Sequence, residues 1–244
     1  MKLLIDAGNS RLKWRLDQDG RILEQGVGTL DDADPLPGLS IDARNLTGVA
    51  VSTVASEERR LNLMEQLSAR TAAPIRFYWA ETRRGGLVNA YADPRMMGAD
   101  RWHAMYGAWR SINAGFVVVD AGSAVTVDYV APSGQHLGGF ILPGLHMMLR
   151  SLKSDAARIG FDPDQVLDTR PGKSTGECVN HGLAWLSAAV VDQIHKDAQA
   201  FGLDRIVVTG GDADRLLGLG LSAANRPQLV LDGLALIDNE DQAQ

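Results

Sequence analysis

The sequence predicts an α/β protein composed of two related halves. A duplicated pattern is the first reason: an apolar strand runs into Asp-Ala-Gly, and a second strand-like stretch follows. One copy contains Asp6-Ala7-Gly8, and the other, about half a chain later, contains Asp120-Ala121-Gly122. The second reason is that strand and helix patterns alternate along the whole chain. A repeat with so long a period indicates two domains, which we expect to span residues 1–112 and 113–244.

Local patterns predict the elements of the first half in order. Ser56 is a typical helix N-cap, and the two glutamates after it suit the helix dipole, so a helix is expected to continue to about Arg70. Residues 81–97 lack periodicity and are predicted as a long loop, a feature that is often functional. The predicted strands are residues 3–5 and 12–16, which form a hairpin, 46–53 and 75–79.

A helix is predicted from Ala99 onward, because four large side chains recur there at helical spacing. They are expected in the core and are Trp102, Met105, Tyr106 and Trp109. In the second half we expect strands at 116–119, 125–130, 137–143 and 206–208, and helices at 145–153, 174–201 and 212–217. The polar segment 238–244 is expected to be frayed.

Composition excludes several classes of function. The formal net charge of −6 argues against broad binding to nucleic acid, which requires clustered Lys and Arg. No apolar run is long enough for a membrane span, and the single cysteine excludes an internal disulfide. Cys178 is expected to be a small buried helix residue, and the five histidines lack metal-ligand spacing and are expected at the surface or the core edge. These features predict a cytoplasmic protein without membrane or nucleic-acid partners.

The first Asp-Ala-Gly turn is a candidate phosphate site. Gly8 permits close approach of the backbone, and Asn9 and Ser10 supply short-range donors. Asp6 at the strand end is placed to hold a metal bound to phosphate, and Lys13 on the returning strand could reach a terminal phosphate. The alternatives are an ordinary Asp-Gly hairpin turn and a solvated lysine.

A second candidate site follows the long loop, at the start of the predicted helix. Asp100 could accept the proton of an alcohol that attacks phosphorus, and Arg101 could hold a carboxylate in a bidentate grip. Tyr91 in the loop could supply a wall and a hydroxyl. The alternative for Asp100 is an acid that only complements the helix dipole.

Two glycine-rich turns complete the candidate set. Gly138-Gly139 and Pro143-Gly144 bracket a predicted strand, and Gly210-Gly211 joins a strand to a helix start. Such turns offer a surface without side chains that suits a nucleotide, although sheet packing alone also explains them. The chain contains neither the glycine-rich loop of P-loop enzymes nor the nucleophile elbow of hydrolases.

Together these motifs resemble the type III pantothenate kinases of the actin/sugar-kinase superfamily, over nearly the whole chain. The resemblance implies two related ribonuclease H-like domains with mixed sheets. It depends on the order and spacing of several motifs: Asp6-x-Gly8-Asn9-Ser10 with Lys13, Tyr91-x-x-Pro94-x-x-x-Gly98-Ala99-Asp100-Arg101, Asp120-Ala121-Gly122-Ser123-Ala124, Gly138-Gly139-x-Ile141-x-Pro143-Gly144, Ser174-Thr175 with Gly182, and Thr209-Gly210-Gly211.

The resemblance implies ATP-dependent phosphorylation of pantothenate to 4'-phosphopantothenate, the first step of coenzyme A biosynthesis, with Mg²⁺. Asp100 would be the proton acceptor, and Asp120 would hold a monovalent cation, K⁺ or NH₄⁺. A homodimer through the second half is also implied. The implied ATP-binding residues are Asp6, Ala7, Gly8, Asn9, Ser10, Arg11, Leu12, Lys13 and Ser123. The implied pantothenate-binding residues are Tyr91, Gly98, Ala99, Asp100, Arg101 and Thr175.

The sequence departs mildly from this family and leaves two alternatives open. Ser10 and Ser123 stand where threonine is usual, and Met97 stands where leucine is usual. The alternatives are a kinase for another small hydroxylated acceptor and a nucleotide-binding regulatory protein without catalysis. Asp100 favours the enzyme, because a binding module has no need of a base.

Overall fold

The computed structural model describes residues 1–9, 11–32, 34–40, 45–155 and 167–243. Contacts divide the chain into two compact units, Met1–Ser111 with Gln228–Gln244 and Ile112–Pro227. The chain therefore leaves the first unit close to the predicted boundary at residue 112. It returns to that unit for its final helix, whereas the sequence-based division assigned these residues to the second half.

Strands and helices alternate as predicted, which confirms the α/β class. In chain order they are β1 (Lys2–Ala7), β2 (Leu12–Gln18), β3 (Arg21–Gly28), β4 (Gly48–Thr53), α1 (Glu57–Arg70), β5 (Ile75–Tyr78), β6 (Arg83–Arg84), β7 (Leu87–Val88), α2 (Ala99–Trp109), β8 (Phe116–Ala121), β9 (Ala124–Val130), β10 (His136–Pro143), α3 (Leu145–Asp155), α4 (Thr175–Phe201), β11 (Arg205–Thr209), α5 (Ala213–Gly218), β12 (Ala224–Asn225) and α6 (Leu229–Gln242).

The first unit has a mixed sheet in the order β3-β2-β1-β4-β5. Strands β1, β2 and β3 pair in antiparallel fashion, whereas β4 and β5 extend the sheet in parallel from β1. One face packs on α1, where Leu63 and Leu67 join the core formed by alternate residues of β1 and β4. Ser56 caps α1 as predicted, since its side chain accepts a hydrogen bond from the Arg59 backbone N–H.

Helices α2 and α6 pack closely within the first unit. A Cβ atom on Gly233 of α6 would lie 1.8 Å from the backbone oxygen of His103 in α2, so only glycine permits this approach. The expectation that residues 238–244 are frayed is wrong, because α6 continues to Gln242. Asp238 is 2% exposed and accepts hydrogen bonds from the Tyr78 hydroxyl at 2.7 Å and the Lys2 amine at 2.5 Å.

The second unit repeats the strand order of the first, with a mixed sheet in the order β10-β9-β8-β11-β12. Three antiparallel strands again precede two parallel ones. Val117 and Val119 of β8 pack against Val191 and Ile194 of α4 in the core of this unit. The duplication read from Asp-Ala-Gly therefore extends to whole sheets, including the strand β3, which the sequence did not predict.

Three further expectations differ from the structure. Cys178 is exposed in the first turns of α4 rather than buried. His103 and His136 are buried rather than at the surface or core edge, because each finds a polar partner inside its unit: Ser52 for His103 and Asp128 for His136. The predicted loop 81–97 contains the short hairpin of β6 and β7 and a 3-10 turn at Pro94–Met96. None of the helices formed by the described residues has the length and apolar character needed to cross a membrane.

Candidate active site

The first Asp-Ala-Gly turn lies at the carboxyl end of β1, as predicted. Asp6 is half-buried and stands opposite Lys13 in the antiparallel pairing with β2. The Gly8 backbone N–H donates to the Arg11 carbonyl at 3.0 Å, which closes the turn. Arg59 of α1 donates to the Asn9 carbonyl at 2.7 Å and so fixes the turn from outside, a contact that the sequence did not indicate. Of the predicted phosphate-binding residues 6–13, Ser10 lies outside the described residues.

The carboxyl end of β4 connects this turn to the start of α2. The Thr53 hydroxyl and the Val54 backbone N–H both donate to the Ala7 carbonyl, at 3.0 and 3.2 Å. A Cβ atom on Gly98 would lie 3.4 Å from Val54 Cγ1 and 2.5 Å from Asp100 Oδ1. The Asp100 carboxylate therefore lies close to the ends of β1 and β4, and glycine at position 98 leaves the space that this carboxylate occupies.

Asp100 occupies the first turn of α2 and is half-buried. Its Oδ1 accepts a hydrogen bond from the Arg101 backbone N–H at 2.7 Å. Helix N-terminal amides and the helix dipole stabilise the ionised form of a carboxylate at this place. Both interpretations of the sequence are compatible with this geometry: the acid complements the dipole, and its position near Val54, whose N–H bonds to Ala7 at the end of β1, also suits a base.

Arg101 and Tyr91 form a pair next to Asp100. The Arg101 side chain is 5% exposed; it donates to the Tyr91 hydroxyl at 2.9 Å and lies over the tyrosine ring at 5.7 Å from its centroid. Asn89 positions this pair, because its side chain accepts from the Tyr91 N–H at 2.9 Å and donates to the Glu81 carbonyl at 3.1 Å. The first unit thus brings together Tyr91, Asp100 and Arg101, three of the residues expected to bind pantothenate. Asn89 was missed, although an Asn two residues before Tyr91 is a typical side-chain-to-backbone turn signal.

A buried polar contact lies behind these residues. His103 Nδ1 and Ser52 Oγ are 2.8 Å apart, and both residues are 0% exposed. Burial lowers the pKa of His103 to about 3, with a smaller contribution from the positive charge of Arg84, so the imidazole is uncharged at neutral pH. The sequence did not predict this contact.

The second Asp-Ala-Gly turn lies at the carboxyl end of β8, and two glycine-rich segments of the same unit enclose it. The Gly144 N–H donates to the Ser123 carbonyl at 3.1 Å, and the Asp212 N–H donates to the Ala121 carbonyl at 2.9 Å. Gly210 has a φ of +95°, and a Cβ atom there would lie 2.6 Å from Asp120 Oδ1. The predicted turns at 120–124, 143–144 and 209–212 therefore meet around Asp120.

Thr175 is the first residue of α4 and is exposed. The Ser174 hydroxyl accepts from the Glu177 N–H at 3.2 Å, and Glu177 accepts from the Lys173 N–H at 2.6 Å. This capping arrangement fixes the helix start. Thr175, Asp120 and Ser123 belong to the second unit, whereas the other predicted site residues belong to the first.

The carboxylate of Asp6 suits a metal ion that binds together with the phosphates of a substrate. No group of three or more metal-binding side chains occurs in the part of the chain that the structure describes. Mg²⁺ keeps most of its waters and commonly binds through one or two carboxylates together with substrate phosphates. Asp6, near the carboxyl end of β1 and opposite Lys13, suits that mode of binding.

Comparison with known proteins gives concordant results. A family model described as type III pantothenate kinase matches residues 2–197. The type III pantothenate kinase of Marinobacter nauticus is 60% identical over 237 residues, which cover 97% of this chain and 98% of that protein.

Two solved structures share the fold at low identity. A conserved Campylobacter jejuni protein assigned to the Baf family of transcriptional activators has a TM-score of 0.60 at 24% identity, over 99% of this chain and 100% of that one. A Sinorhizobium meliloti protein assigned as a 2-dehydro-3-deoxygalactonokinase has a TM-score of 0.61 at 12% identity, over 100% of both chains. These likenesses confirm the α/β fold of the sugar-kinase type that the resemblance implied.

Proposed function

Because this chain belongs to the type III pantothenate kinase family, we propose that it transfers the γ-phosphoryl group of ATP to the primary hydroxyl of pantothenate. The product is 4'-phosphopantothenate, and the reaction is the first step of coenzyme A biosynthesis. The observation that carries the proposal is the position of Asp100. Its carboxylate lies close to the turn at the end of β1 and next to the Arg101–Tyr91 pair.

The proposed ATP site is the turn from Asp6 to Lys13. Backbone N–H groups of such a turn and the Lys13 ammonium are suitable donors to phosphate oxygens. The contacts from Arg59 and Thr53 hold the turn in place before nucleotide binds, which lowers the entropy lost on binding. Ser123 in the second unit is proposed to contact the same nucleotide. Mg²⁺ bound to the phosphates would supply positive charge that offsets the negative charge developing in the transition state, and Asp6 would help to hold it.

The proposed acceptor site is built around Arg101. Pantothenate carries a carboxylate, and an arginine guanidinium is the side chain best shaped to bind one through two parallel hydrogen bonds. The pairing with Tyr91 holds the guanidinium plane in one orientation. Gly98 and Ala99 at the start of α2, together with Thr175, complete the residues that we propose to bind pantothenate.

In the proposed reaction Asp100 accepts the proton of the pantothenate hydroxyl. The hydroxyl oxygen bonds to the γ-phosphorus, the bond between that phosphorus and the β,γ-bridging oxygen breaks, and ADP leaves. Phosphoryl transfer depends mainly on alignment and on electrostatic stabilisation, so the chief tasks of the protein are to orient the hydroxyl and to hold the base beside it.

We also propose that Asp120 holds a monovalent cation, K⁺ or NH₄⁺. Gly210 leaves room for Asp120 Oδ1, and the backbone carbonyls of the surrounding turns offer hard oxygen ligands of the kind that such ions accept. A cation there would offset negative charge where nucleotide and acceptor meet.

A homodimer through the second unit is proposed from its exposed apolar side chains. Ile141 on β10 and Trp185 on α4 are each 63% exposed, and Phe140 and Leu186 beside them in the chain are also exposed. Large apolar side chains exposed on β10 and α4 are of the kind found in association surfaces. The ATP-dependent reaction is expected to take place in the cytoplasm.

Asp100→Asn tests the proposed function directly. Turnover is measured as pantothenate-dependent ADP release and as phosphorus NMR of the product, alongside a panel of other small alcohols. Loss of a general base typically lowers the rate by ~10²–10⁴. Asp93→Asn is the matched control, since it makes the same change at an exposed ion pair with Arg95 in the preceding loop.

The outcomes separate the alternatives. A wild-type protein that releases ADP with another alcohol but not with pantothenate would be a kinase with a different acceptor. One that binds ATP without turnover on any alcohol would be a nucleotide-binding regulatory protein. Full activity of Asp100→Asn would leave Asp100 as an acid that only complements the helix dipole.

A further inference from the structure

A buried hydrogen bond joins strand β4, which pairs with the strand of Asp6, to helix α2, which carries Asp100. Ser52 Oγ on β4 and His103 Nδ1 on α2 are 2.8 Å apart, and neither residue has any exposed surface. Neither is part of the proposed ATP or pantothenate site, and neither touches the reacting atoms. Ser52 is nevertheless the neighbour of Asp6 in the sheet, and His103 is the neighbour of Asp100 in α2.

Ser52 is the neighbour of Asp6 in the sheet. Strands β1 and β4 pair in parallel, and their register places Asp6 opposite Ser52. Residues opposite each other in paired strands direct their side chains to the same face of the sheet. The Asp6 side chain therefore projects from the face of the sheet that contacts α2 through Ser52 and His103.

His103 stands in the corresponding relation to Asp100. It follows Asp100 by three residues in α2, and residues at this spacing share one side of a helix. On the other side of its backbone, α6 approaches so closely that Gly233 has no room for a Cβ atom. The helix turn that carries Asp100 is thus held from one side by the hydrogen bond to the sheet and from the other by α6.

The polar character of this contact has an energetic cost that packing alone does not explain. His103 Nε2 is buried without a hydrogen-bond partner among the described residues. A buried polar group without a partner destabilises the folded state, whereas an apolar side chain of similar shape would fill the space without that loss. Buried polar groups that lower stability in this way are found mainly at functional sites.

We propose that the Ser52–His103 hydrogen bond sets the position of Asp100 relative to Asp6, with His103 acting as a positioning residue. The inference rests on the proposed function, because it assigns the pair a role in aligning the base with the phosphate site. In-line transfer requires the hydroxyl, the base and the γ-phosphorus to be aligned, and a misplacement of about 1 Å can lower the rate about 10²-fold. The hydrogen bond fixes the distance between the carboxylates of Asp100 and Asp6. Neither Ser52 nor His103 takes a proton from the substrate.

Two substitutions of nearly equal shape separate the hydrogen bond from the volume of the side chain. His103→Leu and His103→Asn both replace the imidazole ring by a smaller branched side chain. Only the asparagine has a polar atom at the position of Nδ1. We expect His103→Leu to lower kcat about tenfold, with little change in the KM for pantothenate, because alignment rather than affinity is lost. We expect His103→Asn to recover most of that loss.

Ser52→Ala provides the second arm, because it removes a single oxygen atom and is the variant least disturbing to the fold. It should lower kcat to the same extent as His103→Leu. The double variant, Ser52→Ala with His103→Leu, should be no slower than either single variant. Tyr106→Phe is the control. It removes the hydrogen bonds of the Tyr106 hydroxyl to Glu240 of α6, and it is expected to lower the thermal midpoint without changing kcat.

Equal kcat values for wild type and Ser52→Ala, or for His103→Leu and His103→Asn, would overturn the positioning role. If His103→Leu does not fold, the comparison of Ser52→Ala with wild type decides alone. A wild-type protein that does not phosphorylate pantothenate would defeat the proposed function instead. A fully active wild type with an unaffected Ser52→Ala would defeat only this inference.

Discussion

Arg101 is a positive charge at an unfavourable place in the fold. It lies in the first turn of α2, where the helix dipole disfavours cations, and it is almost completely buried. The ring of Tyr91 and its hydroxyl offset part of the desolvation. A buried guanidinium held in this way is well prepared to receive an anion, which agrees with the proposed carboxylate of pantothenate.

We predict that Arg101→Lys raises the KM for pantothenate about 10–100-fold, because a lysine cannot reproduce the planar, two-pronged contact and loses its place over Tyr91. Steady-state kinetics with saturating ATP would measure this effect. Arg95→Lys is the matched control, since Arg95 pairs with Asp93 at the surface. An unchanged KM in Arg101→Lys would mean that Arg101 is structural.

At this scale the sequence identifies residues whose chemistry is local, and it misses residues whose partners are distant. Asp100 and Arg101 stand out because a negatively and a positively charged side chain follow Gly98 at a helix start. Ser52 and His103 meet only because the sheet and α2 fold together, and no local pattern signals a contact between residues so far apart in the chain. For the same reason His103 was predicted at the surface or core edge, although it is fully buried.

At the scale of elements, α6 is the clearest difference between sequence and structure. Its last turns are rich in acids, which resemble a solvated tail. In the fold these acids have partners that lie far away in the sequence: Asp238 pairs with Lys2, and Glu240 pairs with Arg84. Strands and capped helices were predictable because their signals are periodic or lie within a few residues. The ion pairs that order the end of α6 have no periodic pattern, and their partners are not within a few residues in the sequence.

We predict that Gly233→Ala lowers the free energy of unfolding by about 1–3 kcal/mol or more, because its methyl group would collide with the His103 carbonyl and force α2 and α6 apart. Urea denaturation would measure the change. Gly182→Ala is the matched control in α4, where an added Cβ atom meets nothing within 4 Å. There we expect no loss, and a gain of up to about 1 kcal/mol from helix propensity. Equal effects of the two substitutions would contradict the close crossing of α2 and α6.

At the scale of the whole molecule, stability should depend on pH through His103. Its pKa is lowered to about 3 by burial, against 6.5 for an ordinary histidine. The unfolded chain therefore binds one more proton than the folded protein between these values. Protonation of the unfolded chain therefore costs no stability above about pH 6.5, and the free energy of unfolding declines as the pH falls from there towards 3.

We predict that this residue makes the free energy of unfolding fall by about 2 kcal/mol between pH 7 and pH 5. Urea titrations of wild type and His103→Asn at both pH values would measure it, since the variant lacks the ionisable ring. The same pH dependence in both proteins would show that the buried imidazole is not the cause.

The duplicated sheet also makes a prediction for the molecule as a whole. Asp6 and Asp120 occupy equivalent strand ends in the two units, in a protein with a formal net charge of −6. One carboxylate is sufficient for a metal on the phosphates, so the second is available for a different ion.

If Asp120 holds K⁺, the rate should rise from near zero when K⁺ replaces Na⁺ at constant ionic strength. Asp120→Ala should abolish this response. Asp214→Asn, which changes an exposed acid of the same unit, should retain it. Equal rates in Na⁺ and K⁺ for the wild type would remove the cation from the proposal.

The return of the chain to its first unit has a consequence for biosynthesis. The ribosome releases β1 to α2 early, but α6, which packs against α2, is made only after the whole second unit. A nascent chain can therefore pair the strands of its first sheet while one side of α2 still lacks its covering helix. We expect translation products that stop before residue 228 to expose this apolar surface and to be cleared by proteases, so that the helix carrying the base becomes secure only after α6 has been made.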